Sequence, residues 1–141
     1  MKKLLTIAAL VLGLFLAVGT AQAVTVDLGT DDMNERWQAE YLGSAVSRNG
    51  VPYEKIAIYI AVTDEGRKFW NLNSNVYGLG LMRIVDCAGK RFSTIQEAHY
   101  DINGKVIYMG PTYTEWNWHE IDQTRTTMMG RVVKAFCGQR T

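Results

Sequence analysis

The sequence predicts an α+β domain: an antiparallel β-sheet of about six strands, with a C-terminal helix packed on it and tied to it by one disulfide. Three observations carry this. Ile56, Ile58, Ile60 and Val62 alternate with Ala57, Tyr59 and Ala61, so both faces of that stretch are apolar. A strand of this kind is central and covered on both sides. Met129, Val132, Val133 and Phe136 recur at i, i+3, i+4 and i+7, the stripe of a docked helix. The only two cysteines, Cys87 and Cys137, end an apolar run and that helical stripe, respectively.

The N-terminus decides the redox setting. Met1-Lys2-Lys3 is a short positive start, Leu4 to Val18 is almost wholly apolar, and Thr20-Ala21-Gln22-Ala23 supplies a small-x-small cleavage pattern. Residues 1–23 therefore read as a secretory signal peptide, and residues 24–141 as a single domain of the exported protein. The alternative, a membrane anchor, is disfavoured by a run shorter than the ~20 residues of a bilayer span. Exported chains meet an oxidising compartment, where two cysteines pair; two buried free thiols are the alternative. The expected location is the periplasm or the outer cell surface, with no membrane span in the mature chain.

Charge narrows the partners. Without Lys2 and Lys3, the 15 basic residues become 13 against 14 acidic ones. A near-neutral domain lacks the basic excess of a general nucleic-acid binder, so no nucleic acid is expected.

In chain order, Val24 to Glu35 is polar and acidic and reads as a loose arm. Trp37, Ala39 and Tyr41 at period two mark a first strand to Val46, and Ser47-Arg48-Asn49-Gly50 is a turn. Tyr53 to Val62 is the central strand, Asp64-Glu65-Gly66 turns the chain, and Phe69 to Val76 is a weaker strand. Tyr77 to Cys87 follows. Its Gly78-Leu79-Gly80 lacks the third glycine and the following helix of a dinucleotide loop, so close backbone approach is the better account. Ala88-Gly89-Lys90 turns into the strand Phe92 to Asp101. Asn103-Gly104 turns into Val106 to Met109, and Tyr113 to Ile121 forms a last strand. Thr124 is the expected cap of the final helix, Glu120 and Asp122 suit its positive end, and Gly138 stops it. Cys137 shares the apolar face with Val133, aimed at the sheet.

Several of these residues match a known pattern. Ile84-Val85-Asp86-Cys87, Tyr100-Asp101 with Gly104-Lys105, Trp118 with Ile121 and Thr124, and Cys137 together resemble motifs of the surface-adhesin protein E family of Gram-negative bacteria. The resemblance spans roughly residues 79 to 138. Asp122-Gln123-Thr124 stands where the family often has Pro-Gly-Ser. The resemblance implies a six-stranded antiparallel sheet, a helix disulfide-bonded to it through Cys87 and Cys137, and frequent dimers. It also implies surface exposure, adhesion to host matrix proteins, and haem binding for the namesake.

No catalytic constellation is evident, and the chain reads as not an enzyme. Its two histidines, His99 and His119, lie on separate predicted strands, and Cys87 and Cys137 are expected to be bonded to each other. There is no Cys-x-x-Cys or His-x-x-x-His, so no metal and no cofactor are expected. Noncovalent haem ligation by His99 or His119 is the alternative. Trp116 and Trp118, two apart, share one face of a strand, either as core or as a contact strip. Arg67-Lys68-Phe69 reads as a small basic contact patch or a solvated turn. These five residues are the candidate partner-binding set. Tyr59, on the second apolar face of the central strand, is the candidate contact of a homodimer. The function expected is an exported, non-catalytic, adhesin-like binding module for a protein partner, host matrix proteins among the candidates. The alternative is a periplasmic small-ligand or haem-binding protein.

Overall fold

The computed structural model describes residues 24–122 and 127–139; the expected signal peptide and Thr124 lie outside them. The strands are β1 (Val24–Thr30), β2 (Arg36–Val46), β3 (Pro52–Ala61), β4 (Gly78–Asp86), β5 (Arg91–Tyr100), β6 (Val106–Met109) and β7 (His119–Glu120). The helices are α1 (Asp64–Phe69) and α2 (Met128–Phe136), the latter running on as a 3₁₀ turn at Cys137–Gln139. The sheet is an antiparallel meander in the order β1-β2-β3-β4-β5-β6. β7 shares the outer side of β5 with β6, pairing at Arg91 and Phe92 while β6 pairs at Ala98 to Tyr100. This is the α+β architecture that the sequence predicts.

β3 lies between β2 and β4, and every residue from Ile56 to Ile60 is fully buried. One face carries Trp37, Ala39, Ile56, Ile58, Ile60, Leu79, Leu81 and Val85, and α2 sets Met129, Val132 and Phe136 on it. Four contacts pin the helix. Cys137 is bonded to Cys87 just beyond β4, with Cα atoms 5.6 Å apart. The Phe136 ring stacks on Tyr41 of β2 at 5.9 Å. Arg131 donates to the Leu28 carbonyl of β1 at 2.7 Å, and Arg83 of β4 donates to Met129 Sδ at 3.1 Å. The second face holds two smaller clusters, Ala57, Tyr59, Ala98 and Tyr100 in one and Met82, Ile84 and Ile95 in the other. On that face Gly80 stands opposite Tyr59, and Gly78 opposite Tyr100. Small residues beside large ones give the two glycines a packing role.

Four elements differ from the sequence expectation. The supposed N-terminal arm contains β1, paired with β2 along most of its length. Its acidic residues organise the turn that follows: Asp31 Oδ1 accepts from the Met33 and Glu35 amides, and Oδ2 accepts from the Trp37 indole at 2.8 Å. Asp64 to Phe69 is a helix where a turn was expected, and the strand expected over Phe69 to Val76 does not form, the chain from Trp70 to Val76 being turns. Thr63 caps it, Asp64 and Glu65 occupy its positive end, and Arg67 and Lys68 its negative end. Tyr113 to Ile121 joins the ladder only at His119 and Glu120, because otherwise it bonds to β5 through single contacts such as Tyr113 N to the Ile95 carbonyl at 2.8 Å. Thr127 caps α2, its Oγ1 accepting from Gly130 N at 2.9 Å, and no acidic residue stands in the first turn. The chain also continues through Gly138 as a 3₁₀ turn instead of stopping there.

α1 is held from beneath by Glu35, which is fully buried. Its carboxylate accepts from the Thr63 amide and from the Trp70 indole, both at 3.1 Å. Burial pushes this carboxyl above the ordinary glutamate range, opposed by those two donors. Gly66 lies so close that a Cβ there would collide with the carboxylate. Gly→Ala inside a helix ordinarily stabilises by about 0.5–1 kcal/mol. Here the sign should reverse. Gly66→Ala is expected to destabilise by ~1–3 kcal/mol, because the displaced carboxylate leaves buried donors unpaired. Urea denaturation checks this, and a midpoint equal to or above wild type would contradict it.

Candidate functional site

The five sequence-predicted contact residues fall into two separate groups. Arg67, Lys68 and Phe69 form the last turn of α1, past the Ala61 end of β3. Arg67 is only 12% exposed: its guanidinium lies over the Tyr77 ring at 4.6 Å, donates to the Val76 carbonyl and pairs with Asp64. Lys68 is exposed, and Phe69, 68% exposed, meets Trp70 edge-on at 4.9 Å. Trp116 and Trp118 lie towards the other end of the strands, half-buried on the second face against Met82, Ile84 and Tyr53. They meet each other at right angles, 5.9 Å apart, and Arg91 lies over Trp118 at 4.3 Å. Tyr53 and Ala61 are eight residues apart on one strand, roughly 26 Å, so the two groups do not form one surface.

Tyr59 is fully buried on the second face, and its hydroxyl donates to Glu40 Oε2 at 2.6 Å. Burial, then the neighbouring carboxylate, pushes the phenol far above its ordinary value, while burial alone pushes Tyr100 up to about 12. Glu40 Oε1, Gln38 Oε1 and the Tyr100 hydroxyl are buried with no hydrogen-bond partner among the described residues.

The two histidines do not share a site. His99 bonds Glu97 at 2.6 Å and rests against Tyr108. His119 pairs with Phe92, seven residues back along β5, roughly 23 Å away. Among the described residues no group of three or more His, Cys, Asp or Glu is placed to hold a metal ion.

Two features escaped the sequence reading. The first is the open edge at β6. Ile107, Tyr108 and Met109 of β6 are each 39–48% exposed, and Ile102 in the turn before it is 39% exposed. The alternation that marks a strand cannot show that it lies outermost; that follows from strand order. The second is a cleft of about 250 Å³ between β5 and the segment before β7, lined by Thr94, Tyr113, Glu115, Asn117 and His119. Period two places these last four on one side and Trp116 and Trp118 on the other. Beside the cleft, Arg83 donates through Nε to Thr94 Oγ1 at 2.9 Å and lies over the Phe92 ring at 4.6 Å. Among the described residues Arg83 has no carboxylate in ion-pair contact, and burial lowers its pKa to about 10, partly offset by the charge of Glu97.

Compared with known proteins, the chain matches no family model, no curated protein and no solved structure.

The buried Glu40 gives a signed prediction. Burial raises its pKa in the fold, partly offset by the Tyr59 hydrogen bond. A raised folded pKa means a stability contribution that is complete below the unfolded pKa of about 4.3 and is lost as pH rises through the folded value. Glu40→Gln keeps an acceptor for Tyr59 and removes the charge. It is expected to raise Tm by roughly 4 °C at pH 7, and to leave it unchanged below about pH 4. Calorimetry at the two pH values checks this; equal shifts at both would show that the carboxylate is solvated.

Proposed function

We propose that this protein is an exported, non-catalytic binding module that docks a protein partner along the edge of its sheet at β6. The observation that carries the reading is the row of exposed apolar side chains on the open edge at β6, where the other edge, β1, carries charge. An open edge strand offers unpaired backbone groups, and proteins normally blunt it with charge, bulges or cover. β1 is blunted: its register breaks between Asp27 and Gly29, and Asp27 is paired with Arg36. β6 also has a register break, at Ile107 opposite His99 and Tyr100, but among the described residues it carries no ion pair, and its exposed side chains are Ile107, Tyr108 and Met109. Exposed apolar residues gathered on a strand with one open edge favour an extended segment of a partner adding to the sheet.

Export is supported by the charged-then-apolar start of the chain and by the Cys87–Cys137 bond, which suits an oxidising compartment such as the periplasm or the cell surface. The resemblance to surface-adhesin protein E motifs favours a host matrix protein as partner, and a second copy of this chain is the other candidate occupant.

The test is saturable binding of the purified mature chain to immobilised extracellular-matrix proteins, with light scattering alongside. Tyr108→Lys with Met109→Lys is expected to weaken binding at least about tenfold, or ~1.4 kcal/mol, with circular dichroism unchanged. Equal binding by this variant would overturn the edge as the contact. A wild-type dimer that the variant turns to monomer, without matrix binding, would assign the edge to self-association instead.

A further inference from the structure

The cleft beside β7 has a chemistry of its own, independent of the β6 edge. Its walls are a hydroxyl (Thr94), a phenol (Tyr113), a carboxylate (Glu115), an amide (Asn117) and an imidazole (His119), with no aliphatic side chain among them. At about 250 Å³ it falls below the ~300 Å³ at which sites for drug-sized ligands begin.

The segment carrying these groups is fixed at both ends. Tyr113 N bonds the Ile95 carbonyl, and His119 and Glu120 pair with β5. The His119 ring lies against Phe92, 5.6 Å between centroids. Thr94 is oriented as well: Arg83 Nε–H occupies a lone pair of its oxygen, so the hydroxyl proton is left to donate elsewhere. The cleft thus presents a fixed donor at Thr94, acceptors at Glu115, and both kinds at Asn117 and Tyr113.

Each class of small ligand meets this set differently. A carboxylate or phosphate would face Glu115. An apolar ligand would leave polar walls unpaired, a penalty of about 1–3 kcal/mol per group. A polyhydroxylated ring suits it, because every hydroxyl both donates and accepts and the faces of Tyr113 and His119 can meet its C–H bonds. We infer that this cleft binds a single hexose-sized sugar ring, contacted by Thr94, Glu115 and Asn117 and flanked by Tyr113 and His119.

The experiment is an NMR titration of the folded mature chain with D-glucose, D-galactose, D-mannose, N-acetylglucosamine and N-acetylneuraminic acid, each to roughly 50 mM, a range that reads millimolar Kd values. At least one neutral sugar is expected to shift the amides of residues 113–120 saturably. Asn117→Ala and Glu115→Ala should each weaken this about tenfold or more, and Glu65→Ala, on exposed α1, should leave it unchanged. A glycan array run in parallel separates a free sugar from the terminal residue of a longer glycan: tighter binding to arrayed glycans than to the free sugar assigns the latter. No saturable shift in these amides with any sugar, a shift unchanged in Asn117→Ala, or binding of the sialic acid alone would overturn the inference.

Discussion

The bond between Cys87 and Cys137 is the constraint on which the rest of the structure depends. α2 is nine residues long, and isolated helices of that length are marginal in water. Its order comes from setting Met129, Val132 and Phe136 on the isoleucine row of β3. The disulfide keeps that stripe over the row by joining the helix end to the end of β4. Closing a loop of 50 positions contributes ~4 kcal/mol in the chain-entropy account, comparable with much of the 5–15 kcal/mol net stability of a domain. Asp86, next to the bond, accepts from the Gly89 amide and pairs with Arg91. That shapes the turn into β5 and sets the end of the strand where β7 and the cleft are built.

With one face assigned to α2, the other takes a different role. It mixes apolar clusters with buried polar groups, among them Tyr59 bonded to Glu40, and the half-buried Trp116 and Trp118. The outer side of β5 is divided between β6 and β7, and just before and into β7 Glu115, Asn117 and His119 line the cleft while Trp116 and Trp118 pack on the second face. The polar cleft arises from this incomplete pairing, and the open apolar edge from β6 lying outermost.

Much of this was legible in residues whose pattern is local. The two-faced run from Ile56 to Val62, the helical stripe ending at Cys137 and the turn at Asn103-Gly104 all fold as their periodicity indicates. β1 was missed because its acidic residues suggested solvent, although Val24, Val26 and Leu28 alternate as an edge strand should. α1 was missed because six residues are too few for a helical period; its signal was the order Thr63, then Asp64 and Glu65, then Arg67 and Lys68. The contact residues were harder. That Trp116 and Trp118 share a face follows from spacing, but their burial follows from what packs on Met82 and Ile84. The exposure of Ile107 to Met109 follows from β6 lying outermost, and strand order is not written in any local pattern.

Hydrogen exchange tests the role of the disulfide most directly. Amides of residues 128–136 would be compared between the oxidised protein and the Cys87→Ala, Cys137→Ala double variant, with the β3 amides as an internal reference. If the bond holds the helix on the sheet, the α2 amides lose protection by roughly a hundredfold or more relative to β3, since 1.4 kcal/mol is a factor of ten. If the α2 amides keep the same protection relative to β3 without the bond, packing alone secures the helix and the account is wrong.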